Sequence, residues 1–421
     1  MNDSTPGTVM GFGAEALTGA DPGRRYATLT LARGALTALA ITLVVGLLGV
    51  FYTVPSVGVR MRELGVDFTA LRPLHTGFAA AWVFLGGLTA VHRYLQEQAG
   101  PMTGGDRWRL RVQLVCWAVA GLGILVTLPL GITSGREYMG HHPWLSVPIL
   151  VGWLAFTWNF FRVVGPGFFS RPIYVTMWGV GCLFFLYTFT EQHLWLLEGV
   201  FGDPVVDRRI QWKATGTLVG SFNLFMYGAL VYAWEKLTGD DSYGHSRLAY
   251  ALFGVGLLNS FTNFAHHTYH LPQSHAVKWI AFVVSMTELI LFFRVVQELL
   301  ISLRGSERMC PDNTRLLLIS AKWWTAAMVF SSVLISIPPL NALVHGTYAI
   351  AGHAMGTMIG IDTFVLLGVL IALLGEIMDA REGVGAAQRL EHPAIRRTIL
   401  GMNVATAALV GWLTLVGCLD G

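Results

Sequence analysis

The amino-acid sequence predicts an all-α protein, a polytopic transmembrane bundle of about 11 helices. Of its 421 residues, 54% are hydrophobic and 13% are charged, whereas about a quarter of the residues of a soluble protein carry charge. Apolar runs of about 20 residues, the length of a membrane-spanning helix, recur along the chain. The polar stretches between them are short, which leaves no room for a separate soluble domain.

The first apolar run follows a polar, glycine-rich segment that lacks a signal-peptide pattern. We expect residues 1–30 to form a flexible cytoplasmic tail and residues 31–421 to form a single transmembrane domain. The eleven predicted spans are 34–54, 74–96, 109–132, 143–165, 172–198, 213–236, 246–267, 275–300, 317–338, 347–377 and 397–418.

The Lys and Arg residues predict the orientation of this bundle. With the N-terminus in the cytoplasm, 20 of the 28 basic residues lie on the cytoplasmic side, which agrees with the positive-inside rule. The basic residues of the other side are Arg60, Arg62, Arg72, Arg136, Arg208, Arg209, Lys213 and Lys278. We therefore expect an integral protein of the bacterial cytoplasmic membrane, with a cytoplasmic N-terminus and no nucleic-acid partner.

Histidine, rather than cysteine, supplies the candidate ligands. The four cysteines have neither CxxC nor CxxCH spacing, so no thiolate metal site or c-type haem attachment is predicted. In the orientation above, His75 lies in the first turn of the second span, and His266 and His267 lie in the last turn of the seventh. His353 and Met355 lie roughly 10 Å below the start of the tenth span. Histidines inside membranes are costly and usually functional, so this common depth predicts a buried metal or haem centre.

Each of these positions also has a structural interpretation. His353 and Met355 point about 200° apart on a helix, which suits two haems on either side of it, or else a hydrogen bond to a neighbouring helix and ordinary packing. The adjacent imidazoles of His266 and His267 reach one metal only where the helix unwinds; otherwise they belong to a polar outer loop. His75 alone is equally typical of a histidine at the lipid headgroups.

Carboxylates inside the predicted spans indicate proton-handling groups. Glu191 lies near the outer end of the fifth span and Glu288 in the middle of the eighth. Intramembrane acids of this kind are typical of proton relays, and we take both as catalytic candidates. For Asp362, deep in the tenth span, we expect a structural hydrogen bond. Arg136 and Glu137, in the loop before the fourth span, could hold anionic groups or a cation.

Five segments resemble the catalytic subunit of the haem-copper oxidase superfamily, nearest to the large subunit of nitric oxide reductases, with the C-type oxidases next. RPLHT (72–76) resembles the segment that bears the low-spin haem ligand, and SGREY (134–138) the outer-loop motif near haem propionates and a calcium ion. HHTY (266–269) is similar to the family's HHYY, which supplies two ligands to the non-haem metal. SMTEL (285–289) resembles the segment with an intramembrane glutamate, and HGTYAIAGHAMGTMIGI (345–361) the segment that binds both haems.

The resemblance implies two haems. A low-spin haem b would bind His75, and Met355 stands where the family has this haem's second histidine. A high-spin haem b would bind His353. A thioether ligand favours ferrous iron and raises the reduction potential, so the low-spin haem is expected to have a raised potential.

The resemblance also implies a metal beside the high-spin haem and contacts to the haem propionates. Non-haem iron or copper would bind His266 and His267. His345 and Arg136 would lie near propionates, and Glu137 near a calcium ion.

The sixth span departs from the family pattern. Aligned through Gln211-Trp212, the family's metal-binding histidine and the reductases' glutamate fall on Gly216 and Gly220. The third protein ligand is therefore missing. His270 or Glu191 is the candidate substitute; otherwise the second metal is absent.

These features predict a dihaem oxidoreductase that reduces or converts nitric oxide or a related small gas. Its electrons would come from a cytochrome c-type subunit, a soluble cytochrome c or quinol. Thr325 stands where the oxidases have a tyrosine, which disfavours four-electron reduction of oxygen. The competing class is a non-catalytic electron relay or gas sensor without a complete binuclear centre. A third alternative, a transporter with buried histidines, predicts no haem spectrum.

Overall fold

The chain folds as a bundle of long helices. The computed structural model describes residues 22–287, 289–291, 293, 294, 297, 312–383 and 385–420. In this part of the chain the regular elements are helical, apart from one isolated β-bridge between Thr133 and His141. Ten of the described helices are long and apolar enough to cross a membrane. The all-α transmembrane architecture is therefore confirmed.

The described helices are numbered in the order in which they follow one another along the chain. They are α1 (Pro22–Tyr52), α2 (Pro55–Glu63), α3 (Phe68–Gln98), α4 (Gly104–Thr127), α5 (Ser146–Val164), α6 (Ile173–Glu191), α7 (Glu198–Phe201), α8 (Pro204–Thr238), α9 (Arg247–Thr262), α10 (His275–Met286), α11 (Asp312–Ser336), α12 (Pro338–Val344), α13 (Tyr348–Met355), α14 (Phe364–Glu382) and α15 (Pro393–Asp420). A 3₁₀ segment, Asn263–Thr268, continues α9, and a π-helical segment, Gly356–Thr363, joins α13 to α14.

The first helix begins earlier than predicted. α1 starts at Pro22, so residues 22–30, expected to belong to the flexible tail, are helical. Proline suits the first turn of a helix, and the next turns are held by contacts with α3 and the residues after it. Arg24 Nε donates to the carbonyl oxygen of Gly100 at 3.3 Å, and Thr28 Oγ1 donates to Gln96 Oε1 at 3.4 Å.

The predicted span 275–300 is described only in part. α10 covers its first half. Glu288, one of the two catalytic candidates, lies outside the described residues.

The core of the bundle is aromatic and lies between α3, α5, α6 and α8. Trp82, Phe156, Trp178 and Phe225 are at most 1% exposed. Small residues set the helix spacing: a Cβ on Gly87 of α3 would lie 2.7 Å from the Cβ of Phe225. Close packing of this kind fixes the depth of one helix against the next.

Two contacts fix how α3 lies beside α13 and α14. Trp82 Nε1 donates to Thr363 Oγ1 at 3.1 Å, and the fully buried Arg93 donates through Nε to Glu376 Oε2 at 3.1 Å. From the first contact to the second, the residue numbers increase on both sides. The helix α3 and the helix that continues through the π-helical segment into α14 therefore run parallel. We call the end of the bundle where α3 begins and α9 ends the histidine end.

Candidate functional site

His75 lies on α3 near the histidine end. α3 begins at Phe68 because Asp67 caps it, accepting a hydrogen bond from the amide of Thr69 at 2.9 Å. His75 is therefore in the third turn rather than the first, and Pro73 lies inside the helix rather than at its start. The deeper position favours a ligand over a headgroup-level histidine.

The His75 imidazole is oriented by α1. Its Nδ1 lies 2.9 Å from the carbonyl oxygen of Thr42, and since a carbonyl can only accept, Nδ1 carries the proton and Nε2 presents its lone pair. Gly46 makes room for the ring, because a Cβ there would lie 2.8 Å from both Cε1 and Nδ1 of His75. An Nδ1–H bonded to a backbone carbonyl is the usual arrangement of a metal-bound histidine.

His353 and Met355 project from α13 in different directions. His353 Nδ1 lies 3.2 Å from Ser331 Oγ on α11, which turns its ring towards that helix. Met355, two residues on, points about 200° further round the helix. The structure thus supports separate roles for the two side chains.

Met355 lies at the level of His75. Starting from the hydrogen bond between Trp82 and Thr363, His75 is seven residues nearer the histidine end on α3, and Met355 is eight residues nearer on the parallel helix. For His75 this is about 10 Å at the α-helical rise. Met355 is separated from the contact by the π-helical segment, which also makes about two turns. The π-helical segment that follows Met355 packs on α3, so an imidazole and a thioether lie at a similar depth, as two ligands of one haem would.

His266 and His267 converge at the end of α9. The chain there is 3₁₀-helical over Asn263–Thr268, which is the unwinding that two adjacent histidines need to reach one ion. Their Nε2 atoms lie 3.0 Å apart. Two nitrogens bound to one ion at about 2.0–2.1 Å are separated by about 3 Å, so the pair fits two ligands of a single metal.

The surrounding helices hold this pair in place. His266 Nδ1 lies 3.1 Å from Ser285 Oγ on α10 and 3.4 Å from Ser336 Oγ on α11. The His267 ring stacks on Trp212 of α8, with ring centroids 5.4 Å apart and planes 3° from parallel. Since α11 also contacts His353 through Ser331, one helix orients both the histidine pair and the predicted high-spin haem ligand.

His345 belongs to the same end of the bundle as the pair, because α12 follows the end of α11, where Ser336 contacts His266. His345, which ends α12, stacks its ring against His270 with centroids 4.4 Å apart. Burial lowers the pKa of His345, and the charge of His270 adds to this effect. His345 is therefore neutral near pH 7.

Neither candidate substitute completes a three-ligand metal site. Across residues 22–420, apart from the undescribed positions, no group of three His, Cys, Asp or Glu side chains could hold a metal ion. Glu191 is ion-paired with Lys213 of α8, both carboxylate oxygens lying 2.7 Å from Nζ. His270 is exposed. The structure therefore does not bring Glu191 or His270 to the histidine pair.

The loop residues Arg136 and Glu137 are both ion-paired. Arg136 Nη1 donates to the two carboxylate oxygens of Asp207 at 2.8 Å, and its guanidinium lies 4.6 Å from the ring centre of Trp195. Glu137 pairs with Arg72 at 2.8 Å. The cation beside Glu137 in the structure is thus Arg72, and the assignment of Glu137 near a calcium ion stays a prediction.

Asp362 lacks the hydrogen bond that was expected for it. It lies in the π-helical segment and is 0% exposed. Neither carboxyl oxygen has a hydrogen-bond partner in the described part of the chain. The prediction of a structural hydrogen bond at Asp362 is therefore wrong.

Several positioning residues were missed from the sequence. The candidate ligands are oriented by the hydroxyls of Ser285, Ser331 and Ser336 and by the backbone carbonyl of Thr42. Serine is too common in membrane helices to be recognised by pattern, and any residue has a backbone carbonyl. The start of α3 was recoverable, since Asp67 before a helical run is an N-cap signal.

Comparisons with known proteins bear on the family and fold of the chain. The family model "Cytochrome C and Quinol oxidase polypeptide I" matches residues 27–419. A nitric oxide reductase subunit of Stutzerimonas stutzeri is 21% identical over 358 residues, which are 77% of this chain and 71% of that protein. The CcoN1 subunit of the cbb3-type cytochrome c oxidase of the same organism is 21% identical over 336 residues, 75% of this chain and 68% of that protein.

A third relative and a solved structure extend the comparison. A cytochrome c oxidase subunit 1 homolog of Azorhizobium caulinodans is 23% identical over 341 residues, 75% of this chain but 59% of that protein. A cryo-EM structure of a heme-copper terminal oxidase dimer has a TM-score of 0.63 at 14% identity, covering 94% of this chain and 84% of that one. That likeness shows a shared fold.

Proposed function

Because the chain belongs to the cytochrome c and quinol oxidase polypeptide I family of haem-copper oxidases, we propose that it is a dihaem membrane oxidoreductase. Its substrate would be nitric oxide or a related small gas, reduced or converted at a high-spin haem b. The observation that carries the proposal is the similar depth of His75 and Met355, since a haem held between their helices would need an imidazole and a thioether at one level.

His75 and Met355 would hold the low-spin haem b. The Thr42 carbonyl keeps the His75 Nε2 lone pair free for iron, and Gly46 keeps the ring in place. The methionine would stabilise ferrous iron and raise the potential. This site would receive electrons and pass them on without binding substrate.

His353 would hold the high-spin haem b, which would supply the binding of a small gas and the transfer of electrons to it. Ser331 fixes the ring orientation of His353 through Nδ1. The support for placing His266 and His267 opposite it is that α11 contacts both His266, through Ser336, and His353, through Ser331. The protein's own contribution is to hold these imidazoles in place and to surround them with apolar helices.

The reaction of nitric oxide reductases sets what the site must accommodate: two NO, two electrons and two protons give N₂O and water. Two gas molecules held side by side react as if in one molecule, which favours N–N bond formation. The histidine pair, with Nε2 atoms 3.0 Å apart, fits non-haem iron or copper as two of its ligands. Glu191, with its partner Lys213, is the described acid from which a proton route would start.

A second candidate function is favoured by the missing third ligand. A haem protein with two metal-binding histidines instead of three would hold non-haem metal weakly. It would then relay electrons or sense a gas rather than couple two NO molecules. Gly220 supports this alternative, because a Cβ there would lie 2.5 Å from Ser260 Oγ, so the position of the reductases' glutamate is closed to a side chain.

Metal analysis of the purified protein separates the two candidates. Two haems and one non-haem metal per chain, with consumption of NO under reducing conditions, support the enzyme. Two haems alone, with CO binding but no NO consumption, support the relay or sensor. A colourless protein would refute both. The control is His270→Ala: His270 is exposed and stands outside the pair, so its loss should leave the metal content unchanged.

We further propose that the histidine end faces the extracytoplasmic side, because the basic residues are concentrated at the other end. The electron donor would then be a cytochrome c-type subunit, a soluble cytochrome c at that face, or quinol in the membrane. Reduction rates of the haems with each donor would identify it.

A further inference from the structure

Asp362 is the least expected side chain in the bundle. It is 0% exposed, and both its carboxyl oxygens are without a hydrogen-bond partner in the described residues. A buried carboxylate without a partner costs several kcal/mol, of the order given for an unpaired ion after relaxation. Such a group is retained inside a membrane chiefly where it has a function.

The local backbone is also unusual. Residues Gly356–Thr363 form a π-helix, and π-helical turns are frequent at functional sites. Gly360 lets this segment approach α11, because a Cβ there would lie 2.4 Å from the ring of Trp324. The widened turn places Asp362 seven residues below Met355, the proposed ligand of the low-spin haem.

No cation of the buried ionic network reaches Asp362. That network, formed by Arg93 with Glu97 and Glu376, lies fourteen residues further along α14. The residues of α14 between the two are apolar, and six of them are at most 2% exposed: Phe364, Val365, Leu366, Val369, Leu370 and Leu373. The network therefore does not neutralise Asp362.

The helix α11 brings one cation to the same depth. Since Trp324 packs on Gly360 in an antiparallel helix, Lys322 lies at the level of Asp362. Its Nζ, however, is 4.7 Å from the ring centre of Trp234 on α8. Lys322 is thus directed towards α8.

Apart from Tyr138, the other elements packed against this segment carry their titratable groups towards its two ends. On α15 these are Arg396 and Arg397, in the first turn at the end opposite the histidines. From α3 and α13, His75 and His353 lie nearer the histidine end. Tyr138, in the loop above them, packs against the core. Burial raises the pKa of Tyr138 to about 12, and the charges of Glu137 and Asp362 add to this effect.

We propose that Asp362 is a redox-linked proton acceptor for the low-spin haem. Asp362 would take up one proton when one electron from the donor reaches that haem, and release it when the electron leaves for the high-spin haem. The added negative charge and the added proton then balance. No bond other than the O–H bond of the carboxyl forms or breaks, and no further reactant is needed. The inference rests on the proposed function, because it requires a haem between His75 and Met355.

The test is a redox titration of the low-spin haem by absorbance at a series of pH values. In the unaltered protein, the midpoint potential should fall as the pH rises, because the carboxylate present at higher pH repels the electron added to the haem. In Asp362→Asn the potential should be independent of pH and equal to the low-pH limit of the unaltered protein. Glu376→Gln is the matched control, since that buried carboxyl is paired with Arg93, and it should keep the pH dependence.

Infrared difference spectroscopy gives a second readout that needs no catalytic activity. Reduction of the haem should produce a carbonyl band of a protonated carboxyl, absent from Asp362→Asn and displaced in Asp362→Glu. Should the asparagine variant fail to fold, the displaced band of the glutamate variant still decides the question.

The experiment distinguishes failure of this inference from failure of the proposed function. Absence of a six-coordinate haem refutes the proposed function. A normal haem whose potential does not vary with pH, or a pH dependence unchanged in Asp362→Asn, refutes the role of Asp362 alone. A potential that becomes pH-dependent only when Lys322 is replaced would show that Lys322 neutralises Asp362, which also refutes it.

Discussion

A single added methyl group on α1 should remove the low-spin haem without unfolding the protein. In Gly46→Ala the new Cβ would lie 2.8 Å from Cε1 and Nδ1 of His75, whereas carbon atoms in contact are separated by about 3.5–4.0 Å. The ring must therefore retreat by about 0.7 Å. Metal–ligand bonds tolerate deviations of about 0.2 Å, so the iron–nitrogen bond is lost.

The same substitution has little effect on stability. Displacement of the ring breaks the hydrogen bond between His75 Nδ1 and the Thr42 carbonyl, which costs about 1 kcal/mol. Alanine in place of a helical glycine gains about 0.5–1 kcal/mol. The two contributions nearly cancel, so the free energy of unfolding should change by less than about 1 kcal/mol.

The assay is the absorption spectrum of the reduced and oxidised protein, together with its haem content. We expect the six-coordinate low-spin bands to disappear in Gly46→Ala and one of the two haems to be lost. Gly49→Ala, one turn further along α1, is the matched control, because its Cβ would lie 3.7 Å from Phe68 Cε2, an ordinary contact. An unchanged low-spin spectrum in Gly46→Ala would show that His75 does not bind iron in this orientation.

The other ligands make separate predictions. Met355→His should lower the midpoint potential of the low-spin haem, since imidazole favours ferric iron more than a thioether does; an unchanged potential in redox titration would exclude Met355 as a ligand. His353→Ala should abolish CO binding to the reduced protein while the six-coordinate haem remains, and CO binding that survives would place the high-spin haem elsewhere. Gly216→His should raise the non-haem iron or copper content, measured by elemental analysis, towards one per chain, with Gly216→Ala as its control; equal metal content in both would contradict the alignment through Trp212.

Hydrophobicity and charge were sufficient to predict the bundle. Long apolar runs dictate helices in a membrane because backbone groups have no other partners there, and ten such helices are found among the described residues. The start of α1 was placed too late, because residues 22–30 are polar and a hydropathy pattern does not register the contacts of Arg24 and Thr28 that hold them.

The candidate ligands could also be predicted from the sequence, but the residues that surround them could not. Histidine is rare in membrane spans, so His75 and His353 were conspicuous in the sequence. Their orientation depends on Thr42 and Ser331, which lie 33 and 22 residues away along the chain. Asp362 was misjudged for the same reason: a single carboxyl in a helix carries no information about which partners the neighbouring helices offer.

The change at the sixth span is better explained as a coordinated alteration than as the loss of one ligand. Gly220 lies against Ser260, 2.5 Å from where a Cβ would be, so α8 and α9 are closer here than a glutamate side chain allows. Trp212 of α8 stacks on His267 of the 3₁₀ segment that continues α9. This contact fixes the histidine without a third ligand. A site that kept its two histidines in place by stacking and by the serines of α10 and α11 could lose the metal without losing their geometry. The pair would then remain available to bind metal, or to contact a gas bound opposite His353, and the metal content decides which of the two this protein retains.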